Sequence, residues 1–228
     1  MSDNARDPAD ADSPADFETF LETVREDAQT QLSRLGSSKS LYAETDGDID
    51  TEPVLAATAD AEYAAWHTFS AWADDESDEG TREAFKATAA EERNHLETVL
   101  DTLGRETAAD AYEPDAVPAL HDYLRTLEST DERIGALVGR ILASKRSKDQ
   151  VVGYFIGDAD PQTAAVFREF GDDLDAQLER AGERFADCCI DDAARARAAA
   201  AAVDAISAAY DEYVENLEEL GANPKPVC

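Results

Sequence analysis

Apolar residues recur along this chain at a spacing of three and four, the period of a helix with one buried face. The first such run is Phe17, Phe20, Leu21, Val24, Ala28, Leu32 and Leu35, and Gly36 closes it. A polar linker follows to about Thr51. The pattern then predicts a helix capped by Thr51, with Pro53 in its first turn, running to about Asp74. A second helix spans about Thr81 to Leu103, and a third about Pro118 to Ser144. Residues Lys148–Ile156 read as a short helix of their own. Asp160 caps, and Pro161 opens, a helix to about Cys188, and a last, Ala-rich helix follows Asp191 and stops at Gly221. No period-2 run bounded by turn residues survives, so no sheet is expected and the fold class is all-α.

Residues 1–15 and 223–228 carry little to bury, and they read as a disordered acidic tail and an extended Pro-containing tail around one helical domain, 16–222. The apolar fraction of 43% is ordinary for a folded chain, whereas the net charge of -32 is not. Asp outnumbers Glu, and only five of the twenty basic residues are Lys. That balance fits a protein of a salt-rich cytoplasm, because molar salt shortens the Debye length to about 3 Å and screens the self-repulsion. A thermal midpoint that rises between about 0.1 M and about 3 M KCl is the expected result. An unchanged midpoint would remove this reading of the charge. No basic stripe exists to meet nucleic-acid phosphates, no long apolar run suggests a membrane span, and no basic-then-apolar leader is present. The expectation is therefore a cytoplasmic protein without nucleic-acid or membrane partners.

Four polar residues break the apolar stripes. Glu62 lies among Leu55, Ala59, Trp66, Phe69 and Ala73. Glu92 lies among Phe85, Ala89, Leu96, Val99 and Leu103, with His95 one turn further on. Asp131 lies among Leu120, Leu124, Leu127, Ile134, Val138 and Ile141. A hairpin of the 51–74 and 81–103 helices puts Glu62 and Glu92 at one level. A 14-residue crossover, extending to roughly 46 Å, spans a helix of about 35 Å and brings Asp131 level with them. Buried carboxylates need compensation, and a bound cation supplies it most directly. The same groups could instead close into an ion-pair network, with Arg93, Arg133 and Arg140 nearby but off the inner stripes.

Glu62, followed on the hairpin partner by Glu92-Arg93-Asn94-His95, resembles the first half of the rubrerythrin and ferritin-like di-iron site. The resemblance covers about residues 53–188 and implies a four-helix bundle with an additional helix at each end. It implies Glu62 and Glu92 as iron ligands, Glu92 bridging, and His95 as a terminal ligand. Asp131 stands where the family has a third-helix Glu. The second Glu-x-x-His is missing: Glu169-Phe170-Gly171-Asp172 is the nearest match, Glu169 and Asp172 face outward, and Asp173 lies near the stripe's edge. One iron ion or two are implied, the second weakly held. Peroxide or dioxygen as substrate, an electron donor and a homodimer are the expected partners, in peroxide reduction or Fe(II) oxidation. The alternative is a non-catalytic scaffold with a degenerate site. His67 and His121 read as surface residues. Cys188, Cys189 and Cys228 form no CxxC pair, which excludes a rubredoxin module and leaves a thiol sensor as a weaker idea. Asp46, Asp48 and Asp50 make only a fragment of a calcium loop, because Thr51 and Ala57 stand where its Gly and Glu belong.

Overall fold

The computed structural model describes residues 14–224, so the tails expected over residues 1–13 and 225–228, Cys228 included, lie outside the described residues. The described residues form nine α-helices and no strand: α1 Pro14–Asp27, α2 Gln29–Leu35, α3 Lys39–Glu44, α4 Thr51–Asp75, α5 Glu79–Thr102, α6 Ala119–Leu124, α7 Thr130–Gly157, α8 Pro161–Cys188 and α9 Asp192–Glu219. Among the described residues, no helix is long and apolar enough to cross a membrane.

Asp side chains start four of the five long helices, α4, α5, α8 and α9. Asp50 accepts from Thr51 N, so it takes the cap position expected of Thr51. Asp78 accepts from Thr81 N at 2.8 Å, Asp160 from Thr163 N at 3.1 Å and Asp191 from Ala194 N at 2.7 Å. Each satisfies a backbone N–H that the helix itself leaves unpaired.

Three segments depart from expectation, the first being the run from Phe17 to Leu35, which is two helices, α1 and α2, interrupted at Ala28. The linker before Thr51 contains α3, which buries Leu41 and Ala43 and is too short to show a period. The single helix expected over 118–144 is two. It breaks at 125–129, and α7 then runs unbroken through Lys148–Ile156. Ser129 precedes α7 and its hydroxyl donates to the Glu132 carboxylate, the S-x-x-E start signal that the apolar pattern masks.

The core is built from two hairpins, α4 on α5 and α7 on α8, joined where α5 meets α8. Along the other side of α7 lies α9, and α1, α2, α3 and α6 pack against α9 as well. Residues 134–143 of α7 are all buried. The approach of α9 depends on two glycines there. A Cβ on Gly135 would stand 2.0 Å from the Ala198 carbonyl oxygen, and one on Gly139 would stand 2.2 Å from that of Ala202. At the far end Phe20 of α1 packs on Phe185 of α8, ring centroids 4.4 Å apart.

Candidate functional site

Glu62 of α4 and Glu92 of α5 have no solvent exposure, and His95, one turn beyond Glu92, has 3%. His95 Nδ1 is 3.6 Å from Glu62 Oε2 and 3.8 Å from Glu92 Oε2. One ligand atom from each of the three lies within 4.8 Å of the others, so α4 and α5 do bring these residues to one centre. The hairpin explains it: each group sits mid-helix on the face turned inward.

Helices α7 and α8 supply cations and an amide. Arg140 of α7 grips Glu92 with both ends of its guanidinium, Nη1 to Oε1 at 2.8 Å and Nη2 to Oε2 at 2.7 Å. Gln177 of α8 donates to Glu92 Oε1 at 2.7 Å and accepts from Arg140 Nη1 at 3.1 Å. Lys148 of α7 places its ammonium 2.5 Å from Glu62 Oε1. That is an ion pair out of hydrogen-bonding line, and neither Glu62 oxygen accepts a hydrogen bond. His95 Nε2 donates to Asp173 of α8 at 2.9 Å, and the Phe170 ring stacks on the imidazole at 4.0 Å.

The electrostatics follow from this arrangement. Burial by itself would raise the Glu92 carboxyl, but the Arg140 charge and the His95 contact hold it well below the ordinary carboxylate value. Burial would likewise strip the proton from His95, and the Glu62 and Glu92 carboxylates outweigh it, lifting the imidazole to about 10. Two buried carboxylates, Glu92 and Glu62, thus each face a cation from α7, Arg140 and Lys148, and His95 stands among Glu62, Glu92 and Asp173.

Asp131 does not join it. As the second residue of α7 it lies at a helix start, about 13.5 Å of helix rise from Arg140. Its carboxylate accepts from both Nε, at 2.9 Å, and Nη2 of Arg197 on α9. The break at 125–129 is the reason, since a continuous helix would have carried it to mid-bundle. His121, expected at the surface, is buried at 3% exposure beside Thr68. His67 is exposed, as are Glu169 and Asp172. Burial pushes the Cys189 thiol up to about 12, which removes the thiolate a redox sensor would need there.

The narrow apolar stripes single out neither Lys148 nor Gln177, and they leave Arg140, a possible ion-pair partner in the sequence, off the inner face. Residues Ile134 to Ala143 are apolar or glycine apart from Arg140, and a helix apolar all round has no outer side on which to leave an arginine. Gln177 stands on the stripe between Leu174 and Ala181, so it too was marked by position.

The fold and the cluster define an all-helical protein with a charge-compensated polar core between four long helices. No family model, no curated protein and no solved structure matches the chain. Its residues also give a test of the iron that the resemblance implies. Glu62, Glu92 and His95 have the spacing of a metal site, but where a second set of carboxylate and imidazole ligands would stand, α7 and α8 offer Arg140, Lys148 and Gln177. A pair of iron ions does not fit between two fixed cations that already neutralise both carboxylates.

Proposed function

We propose that this chain is a non-catalytic helical scaffold of ferritin-like architecture, in which internal cations have taken the place of metal ions. The observation that carries the reading is the two-pronged grip of Arg140 on Glu92, closed by Gln177. An arginine with matched geometry holds a buried carboxylate permanently, whereas redox chemistry needs carboxylates free to shift as the metal's charge changes. Peroxide reduction and Fe(II) oxidation are therefore not assigned, and the activity left to the protein is binding.

One observation favours a second reading. The Glu62 carboxylate is met by the Lys148 ammonium but by no hydrogen bond of good geometry, and with His95 and Glu92 it forms a three-ligand group. A single divalent ion displacing Lys148 would use it.

One experiment separates the two. Protein purified from concentrated KCl without chelator is expected to hold only traces of iron or manganese. Its thermal midpoint is expected to stay fixed on adding Fe(II) anaerobically or Mn(II). A site filled at about 100 times its Kd would add about 2.7 kcal/mol, a rise of about 5–10 °C for a chain of this size. A rise of that order, lost in His95→Ala, would establish the single-ion reading instead.

A further inference from the structure

Between the end of α1, α2 and the exposed side of α7 lies a groove of about 670 Å³. Three arginines line it, Arg25 of α1, Arg34 of α2 and Arg146 of α7, beside the neutral side chains of Gln29, Thr30 and Ser33. No carboxylate does. That runs against the composition, in which 52 acidic residues face 20 basic ones. Among the described residues nine other arginines pair with a carboxylate, and these three pair with none. Three guanidiniums around one groove repel one another, and no side chain in the groove offsets that repulsion.

Arg25 and Arg34 each stand in the last turn of a helix, where positive charge meets the negative end of the helix dipole. Arg146 has no such reason to be there, because it lies midway along α7. The chain makes room for it. Gly36 follows α2 at φ -84°, a conformation open to any residue, so its missing side chain serves packing and not the turn. A Cβ on Gly36 would stand 3.2 Å from Arg146 Cδ, so the arginine stem lies across the glycine. Gln150, one turn further along α7, donates to the Gly36 carbonyl at 2.8 Å and holds α2 to α7 at this point. Arg146 is thereby seated in one groove with Arg34, two residues before Gly36.

We infer that this groove binds a small anion carrying a diphosphate group, its oxygens shared among the three guanidiniums. A guanidinium offers paired N–H groups that match two phosphoryl oxygens, and such a contact persists in salt that screens charge at a distance. A single carboxylate answers one arginine of the three, whereas two linked phosphoryl groups present charge and oxygens for all of them. Gln29, Thr30 and Ser33 carry neutral donors for the oxygens that remain. A volume of this order is that of small-ligand pockets, so an organic body attached to the phosphates also has room. The site is separate from the core cluster, since Arg146 lies about 160° round α7 from Lys148 at about 100° per residue. It adds a ligand to the binding role proposed above and does not depend on whether Glu62 and Glu92 hold a metal ion.

The test is calorimetric titration of the full chain with potassium diphosphate, free of Mg(II), in KCl concentrated enough to keep it folded. One saturable site is expected, at least about tenfold tighter for diphosphate than for sulfate. Arg146→Gln and Arg34→Gln should each weaken it by about tenfold or more, the loss of one charge-assisted pair. Arg146 is exposed and pairs with no carboxylate, so its replacement should leave helicity and thermal midpoint unchanged. Arg168→Gln, at an exposed position of α8 outside the groove, removes the same charge and should leave binding unaltered. Equal weakening in Arg168→Gln would reduce the effect to net charge and overturn the inference. So would sulfate binding as tightly as diphosphate, unaltered affinity in Arg146→Gln, or absence of both binding heat and broadening of the diphosphate phosphorus NMR line. ADP binding alongside diphosphate assigns the ligand to phosphorylated organic compounds, and diphosphate binding without ADP assigns it to the inorganic ion. A metal ion found in the core cluster would change none of these results.

Discussion

Arg140→Met is expected to destabilise the protein by about 3–5 kcal/mol, because it leaves Glu92 charged and buried with no cation against it. Glu92 has no solvent exposure, so water cannot replace the guanidinium, and Gln177 loses its own acceptor contact at the same time. Such a loss is a large part of the 5–15 kcal/mol that typically holds a domain folded. Urea unfolding at constant high KCl measures it. Replacing the whole buried set by apolar residues of similar size, Glu92→Met with Arg140→Met and Gln177→Leu, should recover most of the loss, since no orphaned charge remains. Retained stability in Arg140→Met alone would mean that the carboxylate has another source of compensation. Recovery of that single variant on adding Mn(II) would identify the source as a metal ion.

Gly135→Ala should be costly for a different reason. Alanine is the better helix former by about 1 kcal/mol, yet here its methyl would lie 2.0 Å from the Ala198 carbonyl oxygen and 2.6 Å from the Ala198 Cα. Those atoms are backbone, so no rotamer change relieves the overlap and α9 must move away from α7 as a body. The expected loss is about 3 kcal/mol or more, the upper end of overpacking costs. Gly153→Ala on the same helix is the control. Nothing lies within 4 Å of its added Cβ, so it should stabilise by up to about 1 kcal/mol. Equal effects at the two positions in urea unfolding would mean that α9 does not pack against α7 at this distance.

Much of the architecture was legible in the chain. Period and caps act within one or two turns, and the sequence carries both, so helices near 51–75, 79–102 and 161–188 could be read from Phe, Leu and Val spacing and, for the last, from Asp160 before its start. Glu62, Glu92 and His95 were legible for the same reason. A polar group in the middle of an apolar stripe must face the core, and a short hairpin fixes which partner stripe it meets.

The sequence alone therefore determined that these carboxylates would be buried and would need positive charge. Only the tertiary structure decided where that charge comes from. The S-T-D-E start at Ser129 moved Asp131 from mid-bundle to a helix end, where Arg197 takes it. The packing of α9 on Gly135 and Gly139 buried the remaining side of α7, so Arg140 had no route to water and turned inward to Glu92. Lys148 reached Glu62 because α7 continued past residue 144. Each of these partnerships joins residues some 50 or more apart in sequence. Local propensity is blind at that separation, and the cost of leaving a charge unpaired in a low-dielectric core selects among the folds that remain.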